Sequence, residues 1–213
     1  MATLRTKENI MISFESVSLD IDNSQIFSDL NLCVGKNEKL LIQGRSGIGK
    51  TTLFRLILGF DQPRSGQIKV NGQPLDKAHI NQIRQQIFYL SQDIDLKDEV
   101  IIRLVTDILE FNSPRKAPLE KMNRFLTLLE LPSGILQKKT RDISGGERQR
   151  LGLLIGFLLD RPIWLLDEPT SALDDAMKEK ISSHILSLDK TIVIISHDPV
   201  WKNNSIIKIK RWS

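Results

Sequence analysis

Residues 44–52 read Gly44-Arg45-Ser46-Gly47-Ile48-Gly49-Lys50-Thr51-Thr52. Leu40-Leu41-Ile42 precedes them and Leu53-Phe54-Arg55-Leu56-Ile57-Leu58 follows, so the stretch sits where a buried strand hands over to a helix with an apolar face. In that setting the spacing G-x-x-x-x-G-K-[ST] is a phosphate-binding loop rather than a Gly-rich turn. Gly44, Gly47 and Gly49 let the backbone curl until successive N–H groups point inward at a polyphosphate, and the helix N-terminus adds partial positive charge. Lys50 then reaches the β- and γ-phosphates as a point charge, and the Thr51 hydroxyl takes one position on Mg2+.

The chain has 213 residues, enough for one well-buried core but short for two independent domains. Apolar residues make up 40% and charged residues 26%, which argues against disorder. The longest nearly apolar stretch, residues 151–159, ends at Asp160 and Arg161, far short of the ~18 residues of a membrane span, so the chain reads as soluble. The first eight residues have no apolar core behind their charges, and no secretory signal is expected there. The single cysteine, Cys33, reads as a small core or strand residue in a reducing compartment. A net charge of +4 suits an anionic surface, yet the basic residues are scattered and no aromatic-interleaved basic patch appears, so nucleic acid is not expected as a partner.

Ahead of the loop, Met11-Ile12-Ser13-Phe14 and the period-two run Leu30-Asn31-Leu32-Cys33-Val34 predict a small antiparallel sheet. Behind it, a helix over 51–58 ends at Gly59, and Gln67-Ile68-Lys69-Val70 runs into the tight-turn pair Asn71-Gly72. Ile87-Phe88-Tyr89-Leu90 is a strand that delivers Ser91 and Gln92 at its C-terminal end, where parallel sheets bind ligands. From Asp98 to Leu131 apolar residues recur at helical spacing, which predicts a helical insertion.

Three further stretches carry chemistry. Ser144-Gly145-Gly146-Glu147 runs straight into a long apolar helix, and two glycines with a capping hydroxyl make a second anion-binding helix N-terminus. Ile163-Trp164-Leu165-Leu166-Asp167-Glu168 is a buried parallel strand ending in two acids, of which one can hold Mg2+ and the next can orient a water. Thr191-Ile192-Val193-Ile194-Ile195-Ser196 is another buried strand, delivering His197 to the same sheet edge. Residues 205–210 close the chain as an edge strand whose lysines protect the edge.

With these in view the chain resembles the ATP-binding subunit of an ABC transporter over nearly its whole length. The motifs follow the family's order: the phosphate loop, Gln92 as Q-loop glutamine, Ser144-Gly145-Gly146-Glu147 as signature, Ile163 to Asp167 as the Walker B strand with Glu168 next to it, Ser171-Ala172-Leu173-Asp174 as D-loop and His197 as switch histidine. The resemblance implies an α/β fold: a phosphate-loop NTPase core of mainly parallel sheet, an N-terminal antiparallel β subdomain and a helical insertion lobe at about 98–150, within a single domain spanning 1–213. It implies a head-to-tail dimer with ATP between the phosphate loop of one copy and residues 144–147 of the other. Lys50 and the loop residues 44–52 then bind phosphate, Thr51, Gln92 and Asp167 arrange Mg2+, Glu168 is the general base, His197 contacts the γ-phosphate and Asp174 communicates across the dimer.

Three departures from the family pattern stand out. Ile143 replaces leucine before the signature serine, Asn37 replaces a turn glycine, and Ile21 occupies the place of the aromatic that stacks on adenine. The resemblance further implies a transmembrane permease encoded separately and a position on the cytoplasmic face of the membrane, peripheral through that permease. Residues 125–150 are similar to subunits paired with iron- or metal-export permeases. The alternative is a soluble ABC ATPase acting on DNA or ribosomes, although such relatives usually carry two cassettes or a long coiled coil.

Overall fold

A computed structural model describes residues 9–22, 24–45, 47–112 and 119–212. In chain order the elements are β1 (Ile10–Ile21), β2 (Ser24–Gly35), β3 (Lys39–Gly44), α1 (Lys50–Ile57), β4 (Ser65–Val70), β5 (Gln73–Pro74), α2 (Ile80–Arg84), β6 (Ile87–Leu90), α3 (Ile101–Asn112), α4 (Leu119–Leu128), α5 (Gly145–Leu159), β7 (Ile163–Asp167), α6 (Asp175–Ser187), β8 (Thr191–Ile195) and β9 (Ile207–Trp212). No helix among the described residues is long and apolar enough to cross a membrane.

The apolar runs form a parallel sheet in the order β6-β7-β8-β3-β9. Alternation along each strand feeds both of its faces. Leu41, Phe88, Trp164, Leu166, Ile192 and Ile194 join a core with α3 to α6, while Leu40, Ile42, Ile87, Leu165, Val193 and Ile195 join a second core with α1 and the N-terminal strands. Because the strands are parallel, Gly44, Leu90, Asp167 and Ile195 all end at one edge. The connections leaving that edge are the stretches in which the sequence concentrates glycine, acid and histidine.

β1, β2, β4 and β5 make a separate antiparallel sheet in the order β2-β1-β4-β5. The expected Asn71-Gly72 turn joins β4 to β5, with φ of 50° and 75°. Gly66, at φ 86°, lies where a Cβ would come within 2.3 Å of the Ser16 carbonyl oxygen, so β1 and β4 can approach there only through glycine. Cys33 is a strand residue as expected but not a core one: Leu32 and Val34 point into the core, so period two turns Cys33 outward, where it is exposed.

The helical stretch is α3 and α4, with α3 starting at Ile101 because Val100 is held in a bridge with Lys139. The Phe125 and Phe157 rings stack at 4.9 Å between α4 and α5. α5 lies unusually close to β6, since a Cβ at Gly156 would stand 2.3 Å from Phe88 Cε1 and one at Gly152 2.6 Å from Leu90 Cδ1. β9 is the edge strand, shifted to 207–212 from the expected 205–210, and Lys208 on it pairs with Glu38 at 3.3 Å.

Candidate functional site

β3 delivers the loop and α1 receives it. Gly47 and Gly49 have φ of 79° and 93°, a region closed to most side chains, and Gly49 is also short of space, since a Cβ there would meet Ile26 Cγ2 at 2.6 Å. Gly49 is the N-cap of α1 and makes no side-chain cap, which leaves the first-turn N–H groups for an anion. Lys50 is buried and arches over the loop, its Nζ donating to the carbonyls of Gly44 at 2.8 Å and Arg45 at 2.7 Å. These bonds use two of its three N–H donors.

A cavity of about 540 Å3 opens at this strand edge, lined by Gly47, Gly49, Lys50, Thr51, Thr52, Gln92, Asp167, Glu168, Ser171, Ile195 and His197. Glycine backbone, ammonium, hydroxyl, carboxylates and imidazole thus converge from four strand ends. Another cavity, of about 440 Å3, has Gly59, Pro63, Ile68, Pro74, Leu75 and Ile80 in its lining and receives no strand end of the parallel sheet.

Thr51 Oγ1 donates to Asp167 Oδ2 at 2.8 Å. Asp167 is 3% exposed, and burial pushes its carboxyl above the usual range, opposed by the Thr51 bond and reinforced by the Glu168 charge. A hard cation would reverse that push. One buried carboxylate, one hydroxyl and the neighbouring Gln92 amide are the few oxygen donors that Mg2+ accepts when water and phosphate supply the rest of its shell. Among the described residues no group of three or more His, Cys, Asp or Glu could hold a metal by itself.

Glu168 is held from several sides. Its φ is 46°, a left-handed conformation costing a non-glycine residue about 1–3 kcal/mol, so its surroundings must fix it. Its N–H donates to the Ile195 carbonyl at 2.8 Å. Its carboxylate accepts from Ser196 Oγ at 2.8 Å and from the His197 N–H at 3.1 Å. Two residues that the motif reading passed over act here: Ser196, and the buried Gln149 on α5, whose Nε2 donates to the Glu168 carbonyl at 2.8 Å. A polar residue on the helix face marked by Gly145, Gly152 and Gly156 was the available signal for Gln149.

The other sequence candidates lie apart from this cavity. Gly44, Arg45 and Ile48 line a neighbouring hollow with Arg211 and Trp212. Ser46 lies outside the described residues. Ile21, 37% exposed, ends β1 and pairs with Ser24. Phe14 and Phe27, the rings nearest it in sequence, are 1% and 3% exposed, and neither offers a free face. Asp174 caps α6, its Oδ1 accepting from the Met177 N–H at 2.9 Å.

Ser144, Gly145, Gly146 and Glu147 form the first turn of α5 and its cap, and none of them lines the cavity. Ser144 and Glu147 close a capping box: the Ser144 N–H donates to Glu147 Oε2 at 2.8 Å and the Glu147 N–H to Ser144 Oγ at 3.2 Å. The Ser144 N–H, with Lys138 adding, holds the Glu147 carboxyl below the usual range.

The sequence profile of the family described as ABC transporter matches residues 27–171. A "probable ABC transporter ATP-binding/permease protein" of Haemophilus influenzae is 37% identical over 205 residues, covering 90% of this chain but 36% of that protein. An "ergothioneine transport ATP-binding protein" of Helicobacter pylori is 30% identical over 194 residues, with 88% of this chain and 90% of that protein covered. A solved dimeric structure of an ATP-binding cassette in a post-hydrolysis state, bound to ADP and Pi, superposes with a TM-score of 0.80 at 26% identity, covering 93% of this chain and 94% of that one.

Proposed function

Because the chain belongs to the ABC transporter family, on the profile match over 27–171, we propose that it is an ATP-binding cassette that hydrolyses ATP as a head-to-tail pair and couples this to a membrane permease. One observation carries the reading: phosphate-binding groups and Glu168 converge on one cavity, while the second anion-binding end, at residues 144–147, lies off its lining. A site completed by residues 144–147 of a second copy uses both ends, and the solved relative is dimeric.

In this reading the α1 N-terminus and Lys50 bind the β- and γ-phosphates, and positioning with charge stabilisation accounts for most of the rate. Thr51, Asp167 and Gln92 would hold Mg2+, which would supply positive charge to neutralise the phosphate oxygens. Glu168 takes the proton of the attacking water; Ser196 and the His197 N–H fix both carboxylate oxygens, each of which keeps lone-pair capacity for that water. His197 contacts the γ-phosphate from the cavity wall, and Asp174 meets the other copy. Ile21 gives the adenine apolar contact without stacking.

The permease is proposed as a separate chain with the cassette peripheral to it on the cytoplasmic face of the membrane. The Haemophilus relative carries both parts in its description, whereas the Helicobacter relative, nearly all of which is covered, is described as an ATP-binding protein. Neither description names a metal, so the export of iron or another metal has no support from them. The proposed docking groove for a cytoplasmic helix of the permease is formed by the Q-loop and the helical insertion, with residues 93–96 and the apolar side chains after them as the contact; Asp93 and Asp95 are exposed there and Ile94 and Leu96 pack against the core.

Lys50→Ala, assayed with Mg-ATP beside the wild type, tests the site. ATP turnover is expected to vanish with the loop's phosphate-neutralising charge, and wild-type-like turnover would remove the site from Lys50 and its neighbours.

A further inference from the structure

The two ends of this chain that face ATP are joined by one buried side chain. Gln149, 4% exposed, lies one turn into α5 behind the Ser144–Glu147 capping box. Its Nε2 donates to the Glu168 carbonyl at 2.8 Å and to Ser171 Oγ at 3.4 Å, and its Oε1 accepts from the Ala172 N–H at 2.8 Å. The same residue closely approaches the helix start, since a Cβ at Gly146 would stand 2.9 Å from the Ala172 carbonyl oxygen. The carbonyl that Gln149 grips belongs to the residue at φ 46°, whose peptide orientation must be imposed from outside. A helix that must only pack would place an apolar residue here, as α5 does throughout residues 151–159.

We propose that Gln149 is a positioning residue that locks the Glu168 peptide to the first turn of α5, so that seating a nucleotide at residues 144–147 aligns the general base of the same chain. This rests on the head-to-tail reading. The nucleotide at residues 144–147 belongs to the opposite site, whereas Glu168 works in its own, and Gln149 therefore makes each site's base depend on the other site's occupancy. Coupling of this kind needs an element that both sites bias, and here it is the bond set of Gln149 to Glu168 and Ala172.

The test uses the full chain with Mg-ATP, measuring turnover at saturation, equilibrium ATP affinity and the melting temperature. Q149L removes every bond; Q149E keeps an acceptor for the Ala172 N–H but loses the donor to Glu168, and serves where Q149L does not fold. Turnover is expected to fall at least about tenfold in both, with ATP affinity within about twofold. In the E168Q background the same substitutions should change residual turnover less than about twofold, and with S144A the losses should fall short of the product of the single effects. A residue that merely holds α5 in place would lower turnover by the same factor in all three backgrounds, and that result overturns the proposal, as does lost ATP affinity with turnover retained. If wild type fails to hydrolyse ATP, or E168Q with Mg-ATP stays monomeric, the head-to-tail reading fails first and this inference falls with it.

Discussion

Thr51 and Asp167, 116 residues apart in sequence, are joined by a 2.8 Å hydrogen bond from the threonine hydroxyl to Oδ2. The bond ties the start of α1 to the end of β7. It also marks the corner proposed for Mg2+, where burial pushes the Asp167 carboxyl up and a cation would relieve that cost.

Asp167→Asn should separate stability from activity. A carboxyl raised in the fold binds its proton more tightly there than in the unfolded chain, so it costs stability as pH rises through its folded value. Asparagine keeps an acceptor for Thr51 and removes that cost. At neutral pH the nucleotide-free melting temperature should hold or rise, while Mg-dependent turnover falls by about 10- to 100-fold or more. A scanning calorimeter and a phosphate-release assay give the two readouts; a strongly lowered melting temperature would contradict this account of Asp167.

Glu147→Gln addresses the capping box. A carboxyl held below its ordinary value contributes stability above the unfolded pKa of about 4.3 and loses it as pH falls through the folded value. The variant should therefore be less stable than wild type at pH 7 by about 1 kcal/mol, or roughly 2–4 °C at this chain length. In acid the two melting curves should converge. A gap that persists unchanged to pH 3 would assign the effect to packing instead of charge.

Much of this site is legible in the sequence, because its motifs sit at the ends of uninterrupted apolar strands: residues 40–42, 163–167 and 191–195 are each buried and each end at the same edge. What pattern reading missed is of two kinds. Gln149 and Ser196 are single polar residues within or beside apolar runs, where periodicity records a face but not a hydrogen bond. The long β1, with register shifts between Phe14 and Leu19 and Ser16 at φ 50°, loses its period at the irregularities, so only Met11 to Phe14 read as strand. Helix α2 is five residues long, too short for a helical period to register.

Ile21→Tyr tests the nucleobase contact. Ile21 is 37% exposed at the end of β1, and the buried Phe14 and Phe27 cannot take over a stacking role without unpacking the core. An aromatic face adds about 0.5–1.5 kcal/mol beyond burial, so ATP should bind several-fold to about tenfold tighter in the variant. The Mg2+ requirement should stay as it is. Unchanged affinity by fluorescence titration would place the base elsewhere, with the Trp212 hollow beside Gly44 and Ile48 the next surface to substitute.

The separation of residues 144–147 from the cavity that holds Glu168 makes association the central claim. Glu168→Gln keeps every backbone bond of that residue and an acceptor for Ser196, but an amide cannot take the water's proton. Size-exclusion chromatography of this variant, with and without Mg-ATP, reads the claim directly. The account predicts a monomer without nucleotide and a dimer at saturating Mg-ATP; a monomer in both conditions would contradict it.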